Sequence, residues 1–152
     1  MMRVMFVCLG NICRSPMAEG LFKKLIKHEG LEELIQVESR ATSTYEIGRP
    51  PHPRTQAILH REEAMLIGKS AEQIKLSDFE SFDLIIGMDK ENIIDLKHMT
   101  KVHQQKIYLL RDINPLTKDQ DVPDPYYSGR YEETFHLIQE SLPLWLERLK
   151  KT

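Results

Sequence analysis

Short apolar runs alternate along the chain with stretches in which apolar residues recur at helical spacing. The pattern predicts buried strands at residues 3–8, 34–38, 82–88 and 107–110. Helices are predicted to begin at residue 15 and to occupy 54–63, 89–98 and 131–150, whereas 40–53, rich in Ser, Thr, Gly and Pro, is predicted to be loop. Strands that alternate with helices are typical of an α/β fold, with a parallel sheet covered by helices on both faces.

The predicted fold makes the loop after the first strand, residues 9–14, the expected position of a ligand-binding site. In parallel α/β sheets, ligands bind at the carboxyl ends of the strands, near the point where the strand order reverses. We therefore expect any site to include this loop, whatever residues it carries.

Length and charge limit the possible classes of function. The 152 residues fit a single domain, 1–152, and the net charge of −2 gives no basic patch for nucleic acid or for an anionic membrane. The apolar start of the chain is too short for a signal peptide, so we expect a cytoplasmic protein. Two cysteines are too few for a disulfide framework or a structural zinc site.

Both cysteines lie in one segment, Cys8-Leu-Gly-Asn-Ile-Cys-Arg14-Ser15, between the first strand and the first helix. Backbone N–H groups of such a loop and of the helix start converge on one point and bind an anion. Gly10 allows a close approach or a positive φ, and Arg14 offers a planar fork for two phosphate oxygens. The predicted phosphate-binding residues are Leu9, Gly10, Asn11, Ile12, Cys13, Arg14 and Ser15.

The same positive field stabilises an anionic sulfur, so we expect Cys8 to act as a thiolate nucleophile. The Ser15 hydroxyl is expected to donate to that sulfur, and Asn11 to hold the loop through bonds to the backbone. A buried Cys with a solvent-facing Arg would also fit Cys-x5-Arg. That alternative does not explain why Gly, Asn and Ser-Pro stand where they do.

A second candidate is the carboxyl of Asp124, between two prolines that stiffen the backbone. It is suited to give a proton to a leaving oxygen, and Tyr126 and Tyr127 offer flat faces for a phenyl ring. The residues alone leave a turn or a core anchor equally open.

The run Val7-Cys-Leu-Gly-Asn-Ile-Cys-Arg-Ser-Pro-Met-Ala-Glu19 resembles, nearly residue for residue, the signature loop of the low-molecular-weight protein tyrosine phosphatases. Asp124-Pro-Tyr-Tyr resembles the general-acid loop of that family, and residues 39–51 and 82–89 extend the likeness over the chain. The resemblance implies hydrolysis of phosphotyrosine, or another aryl phosphate, through a cysteinyl-phosphate on Cys8. It also implies a four-stranded parallel sheet, no cofactor or metal, and inhibition by phosphate and vanadate.

Further roles follow from the resemblance alone. Ser39 is expected to support the loop through Asn11, Tyr45 to form another wall of the cleft, and Asp89 to be structural at a helix start. Departures from the family pattern are Arg40 and Ala41 in place of Ala-Gly, His52 at a position often acidic, and Lys69 where some members carry His. They bear on substrate preference and pH tuning.

Other functions stay open as alternatives. An arginine phosphatase shares the fold, although a smaller residue than Tyr45 would suit it better. An arsenate reductase needs further cysteines outside the loop, and the chain has none. A phosphate-binding module without catalysis has no need for both Cys8 and Asp124. A Cys8–Cys13 disulfide formed under peroxide would protect the thiolate, while Cys13 as a packed small side chain is the simpler interpretation.

Overall fold

A four-stranded parallel sheet runs through the middle of the protein in a computed structural model that describes residues 1–152. The strands are β1 Met2–Cys8, β2 Ile35–Ala41, β3 Leu84–Gly87 and β4 Ile107–Leu109. They lie in the order β2-β1-β3-β4, and every pairing is parallel. The predicted α/β class and the four predicted strands are confirmed.

Six α-helices connect and cover the strands. They are α1 Arg14–His28, α2 Pro53–Arg61, α3 Leu76–Ser81, α4 Lys90–Met99, α5 Pro125–Ser128 and α6 Tyr131–Lys150. Short 3₁₀ helices occupy Gln104–Lys106, Leu110–Ile113 and Pro115–Thr117. The predicted helices are all present, and α6 has its predicted bounds. The short helices α3 and α5 were not predicted. None of the helices is both long enough and apolar enough to cross a membrane.

Helices lie on both faces of the sheet because β1 is apolar on both. Successive side chains of a strand point to opposite faces. Phe6 packs in the larger core cluster with Phe22 of α1 and Trp145 of α6, whereas Met5 packs in the smaller cluster with Phe79 of α3. Full burial of a side chain such as Phe22 contributes about 1.5–3 kcal/mol to stability.

Strand β2 is longer than its apolar pattern predicts. The predicted strand ended at Glu38 and the predicted loop began at Arg40, but β2 continues to Ala41. The prediction was wrong here because Ser39 and Arg40 are polar and nevertheless buried. The Arg40 guanidinium tolerates burial because carboxylates surround it, with Glu38 at 2.9 Å and Asp78 at 3.9 Å. Strand β3 is shorter than predicted, since the Phe82 amide donates to the Asp78 carbonyl and closes α3.

The strand order places the loop after β1 at a reversal. From β1 the chain passes to β2, which is the neighbour of β1 in one direction along the sheet, and β3 is its neighbour in the other direction. Residues 9–13 therefore lie at the carboxyl edge where the crossovers diverge, which is where parallel sheets bind ligands.

Candidate active site

Cys8 ends β1 and points its sulfur into the loop that follows. The side chain is buried, and its Sγ accepts the N–H of Asn11 at 3.3 Å and lies 3.0 Å from the Ser15 Oγ. The Asn11 Nδ2 donates to the same Ser15 Oγ at 2.8 Å, and the serine proton can point at the sulfur or at the more distant Arg40 carbonyl, at 3.5 Å. Cys8 therefore faces one backbone donor and one hydroxyl that is able to donate to its sulfur. The expected contact between Cys8 and Ser15 is present.

Asn11 holds the loop in shape from behind. Its Nδ2 also donates to the Ser39 Oγ at 2.9 Å, and its Oδ1 accepts the N–H of Glu72 at 3.1 Å. Asn11 has a φ of 59°, in the left-handed region that Asn tolerates better than most residues. The positive φ offered as one option for Gly10 falls on Asn11 instead. Gly10 serves close approach, since a Cβ there would lie 3.2 Å from the Glu46 side chain.

Arg14 is the first residue of α1 and is almost fully buried, with 2% of its side chain exposed. Its Nη1 donates to the Asp89 Oδ2 at 2.6 Å and to the Val122 carbonyl at 2.8 Å. Its Nη2 lies 3.4 Å from the Asp124 Oδ2, and its buried Nε has no acceptor within the protein. Burial alone would lower the pKa of Arg14, but the negative charges of Cys8, Asp89 and Asp124 outweigh it and raise that pKa. The guanidinium is therefore a fixed positive charge.

Asp89 does more than the structural role expected for it. Its Oδ1 accepts the N–H of Asn92 at 2.8 Å and so caps α4, while its Oδ2 pairs with Arg14. The sequence pattern marked the cap, because Asp is favoured before a helix. It carried no signal for the ion pair, which joins residues 75 positions apart.

Behind Ser39 lies a buried carboxylate that the sequence pattern did not single out. Glu19 accepts the Ser39 hydroxyl at 2.6 Å and the Lys23 ammonium at 2.6 Å. Lys69 donates to the Ser39 carbonyl at 2.8 Å and lies 3.6 Å from Glu19. Burial lowers the pKa of Lys69, an effect that Glu19 opposes and that the nearby charge of Arg40 reinforces. These residues connect to Cys8 through Asn11 and Ser15, so Ser39 supports the loop as expected.

Cys13 occupies the same loop but a different environment. Its thiol is buried and lies 3.3 Å from the hydroxyl of Tyr131. Burial raises the pKa of Cys13 to about 12, so this thiol stays protonated at neutral pH. Burial, together with the hydrogen bond to Cys13, raises the pKa of Tyr131 as well. Both cysteines are free thiols in this structure.

Asp124 lies immediately before the first residue of α5. Its Oδ1 accepts the N–H of Tyr126 at 3.0 Å, and its Oδ2 faces Arg14. Tyr126 and Tyr127 follow it with their rings edge to face, 5.4 Å between centroids, and Tyr45 stands 75% exposed. The pocket enclosed in this way has a volume of about 50 Å³ and is lined by Cys8, Leu9, Gly10, Ile12, Cys13, Tyr45, Glu46, Asp124, Tyr126 and Tyr127. Glu46 is the one lining residue that sequence reasoning missed.

The predicted site residues thus come together around one small pocket. Cys8, Asp124 and the three tyrosines line the pocket. Arg14, Asn11 and Ser15 do not line it, but each contacts either Cys8 or Asp124. Ser39 lies one hydrogen bond further back. An anion in this pocket would lie near the Arg14 guanidinium, the Cys8 sulfur and the Asp124 carboxyl group.

Comparison with known proteins gives a consistent result. The family model described as low molecular weight phosphotyrosine protein phosphatase matches residues 3–152. The chain is 43% identical over 152 residues to the low molecular weight protein-tyrosine-phosphatase YfkJ of Bacillus subtilis, covering 99% of this chain and 97% of that one. The crystal structure of YfkJ superposes with a TM-score of 0.96 over 99% of this chain and 96% of that chain. The structure of a drosophila arginine phosphatase, 32% identical, superposes with a TM-score of 0.90, covering 98% of each chain.

Proposed function

Because the chain belongs to the low molecular weight phosphotyrosine protein phosphatase family, we propose that residues 1–152 act as one phosphatase domain with Cys8, Arg14 and Asp124 as its catalytic groups. Its reaction is the hydrolysis of phosphotyrosine in a protein, or of another aryl phosphate, in two displacements at phosphorus. The observation that carries the residue assignment is the Cys8 sulfur itself. It accepts the Asn11 amide N–H, the Ser15 hydroxyl lies 3.0 Å away, and its charge acts on the buried guanidinium of Arg14.

In the first displacement the Cys8 thiolate attacks phosphorus. An S–P bond forms, the P–O bond to the tyrosyl oxygen breaks, and protonated Asp124 gives its proton to that oxygen. In the second, water attacks phosphorus while Asp124 takes a proton from it. The S–P bond breaks, Cys8 leaves as a thiolate stabilised by the Ser15 hydroxyl, and inorganic phosphate is released.

Arg14 and the loop amides stabilise the equatorial phosphate oxygens in both steps. Asp89 and the Val122 carbonyl hold the Nη1 of Arg14, which fixes the plane of the fork. The buried Nε of Arg14 has no acceptor in the protein, and an unsatisfied buried donor is costly. A phosphate oxygen would supply that acceptor. We therefore also propose that phosphate and vanadate inhibit by occupying this loop.

The pocket walls favour an aryl phosphate over an arginine phosphate. Tyr45, Tyr126 and Tyr127 surround the entrance, and their faces can pack against the phenyl ring of phosphotyrosine. The likeness to an arginine phosphatase makes phospho-arginine the second substrate to test.

Cys8→Ser tests the proposed nucleophile. We expect it to abolish turnover of para-nitrophenyl phosphate and of phosphotyrosine peptides, while circular dichroism shows an unchanged fold. Cys13→Ser is the matched control and should retain measurable turnover, because the Cys13 thiol is protonated and forms a hydrogen bond with the Tyr131 hydroxyl. Appreciable activity in Cys8→Ser would rule out the assignment, and kcat/KM on phosphotyrosine, phosphoserine and phospho-arginine peptides would rank the substrates.

A further inference from the structure

A second groove continues from the catalytic pocket past the ring of Tyr45. Leu9 and Tyr45 line both the pocket and the groove, so the two are contiguous. The groove has a volume of about 490 Å³. The segment after β2 forms one of its walls and α4 contributes Asp95 and Met99 to another. Apart from Leu9 and Tyr45, the proposed mechanism uses none of the residues that line the groove.

The groove is rich in hydrogen-bond acceptors and carries one formal negative charge. Asp95 is half-buried, and its carboxylate takes part in none of the ion pairs or side-chain hydrogen bonds of the chain. Gln73 uses its Nε2 to donate to the Thr42 carbonyl at 3.1 Å, which leaves its Oε1 as an acceptor. Thr42 is 6% exposed, and its hydroxyl has no partner within the protein. No lysine or arginine lines the groove, and its one basic side chain is the exposed imidazole of His98.

The rest of the lining suits an alkyl stem. Leu9, Tyr45 and Met99 are its apolar members. Lys and Arg side chains lay their methylene groups along apolar surface and keep the charged end near polar partners. A cationic side chain therefore fits both halves of the groove, its stem on the apolar residues and its charge at Asp95.

We propose that this groove binds a Lys or Arg side chain that flanks the phosphotyrosine in a protein substrate, with Asp95 as the counter-charge. The proposal rests on the proposed function, because it assumes that a phosphorylated residue occupies the neighbouring pocket. An extended peptide advances by about 3.3–3.6 Å per residue, so residues close to the phosphotyrosine in sequence are the ones that can reach past Tyr45.

The test compares phosphotyrosine peptides that differ at one position. Arg, Ala or Glu is placed in turn at each position near the phosphotyrosine, and kcat/KM is measured at low ionic strength. At one position we expect Arg to exceed Ala by about two- to fivefold and Glu to fall below Ala, the size of a partly exposed ion pair. The preference should shrink as salt is added, because screening weakens such pairs.

Variants on α4 test whether the preference for Arg depends on Asp95. Asp95→Asn should remove most of it and Asp95→Lys should invert it toward Glu. Glu91→Gln is the matched control: it removes one negative charge a single helical turn earlier on α4, outside the groove, and should keep the preference for Arg. Each variant is scored by its own ratio of Arg to Ala peptides, so a general loss of activity does not affect the result.

Two failures can be told apart. If the wild-type protein hydrolyses neither para-nitrophenyl phosphate nor any phosphotyrosine peptide, the proposed function fails. If it hydrolyses the peptides but treats Arg, Ala and Glu alike at every position, only the groove proposal is overturned. An Arg preference that persists in Asp95→Asn also overturns it, because the counter-charge would then lie elsewhere.

Discussion

Asp89→Asn would separate the two roles of Asp89. One oxygen of this carboxylate caps α4 through the N–H of Asn92, and the other lies 2.6 Å from the Nη1 of Arg14. Asn caps helices about as well as Asp, so the substitution keeps the cap. If the amide oxygen caps the helix, the amide NH2 faces a guanidinium that is 2% exposed. The variant therefore mainly removes a counter-charge from Arg14.

The size of the effect follows from what remains around Arg14. Breaking a buried ion pair by removing one partner costs about 3–5 kcal/mol. Arg14 keeps Asp124 at 3.4 Å and the Val122 carbonyl at 2.8 Å, so we expect a loss nearer to about 2 kcal/mol. In a chain of this length that loss lowers the Tm by about 4–8 °C. Displacement of the Arg14 guanidinium should also lower kcat by about 10- to 100-fold.

Thermal unfolding followed by circular dichroism, and kcat on para-nitrophenyl phosphate, would measure the two effects. Asp121→Asn is the matched control, because the Asp121 Oδ1 accepts the N–H of Lys90 at the same helix start and does not pair with Arg14. We expect it to change stability by less than about 0.5 kcal/mol. Asp89→Ala should lose about 1 kcal/mol more than Asp89→Asn, since it removes the cap as well. The reasoning is refuted if Asp89→Asn matches the control in both Tm and kcat.

Asp124→Asn should lower kcat by about 10²–10⁴ on phosphotyrosine peptides and by less on para-nitrophenyl phosphate, whose leaving group needs little protonation; equal losses would count against a proton donor. Burial raises the pKa of the Cys13 thiol from 9.0 to about 12, so the thiol ionises in the unfolded protein at a lower pH than in the folded protein. The stabilisation by the protonated thiol is therefore full below pH 9.0 and declines as the pH rises toward about 12. Urea unfolding at pH 8 and pH 10 should therefore show a fall approaching about 1.4 kcal/mol per pH unit above pH 9 that Cys13→Ser lacks. Gly20→Ala should destabilise by about 1–3 kcal/mol despite better helix propensity, because its Cβ would lie 2.6 Å from the Ala64 carbonyl and 2.8 Å from a Leu59 methyl; an unchanged Tm would contradict this.

The parts of the site that were predictable are local in sequence. Cys8, Asn11 and Ser15 lie within eight consecutive residues, and a strand, a tight loop and a helix start force them together. Their mutual contacts at 2.8–3.3 Å depend on little beyond that unit. Helix α6 was predictable for a similar reason, since its apolar spacing repeats over several turns and outweighs the Pro143 inside it.

The parts that were missed depend on side chains brought together from distant segments. Arg14 and Asp89 are 75 positions apart in sequence, and Lys69 and Ser39 are 30 positions apart. No local pattern encodes such pairs, because each partner alone is typical of a solvated surface. The end of β2 shows the same effect, since two of the three carboxylates around the buried Arg40 guanidinium, Glu72 and Asp78, come from other segments.

Arg14 also connects the phosphate-binding loop to the proposed general acid. The guanidinium has Asp89 at 2.6 Å and Asp124 at 3.4 Å, so Asp89 is its closer counter-charge. Asp89 can therefore hold the guanidinium in place while Asp124 takes part in proton transfer. In the proposed mechanism Asp124 gives its proton to the leaving tyrosyl oxygen in the first step. Departure of the phenol leaves its carboxylate ready to take a proton from the attacking water in the second step.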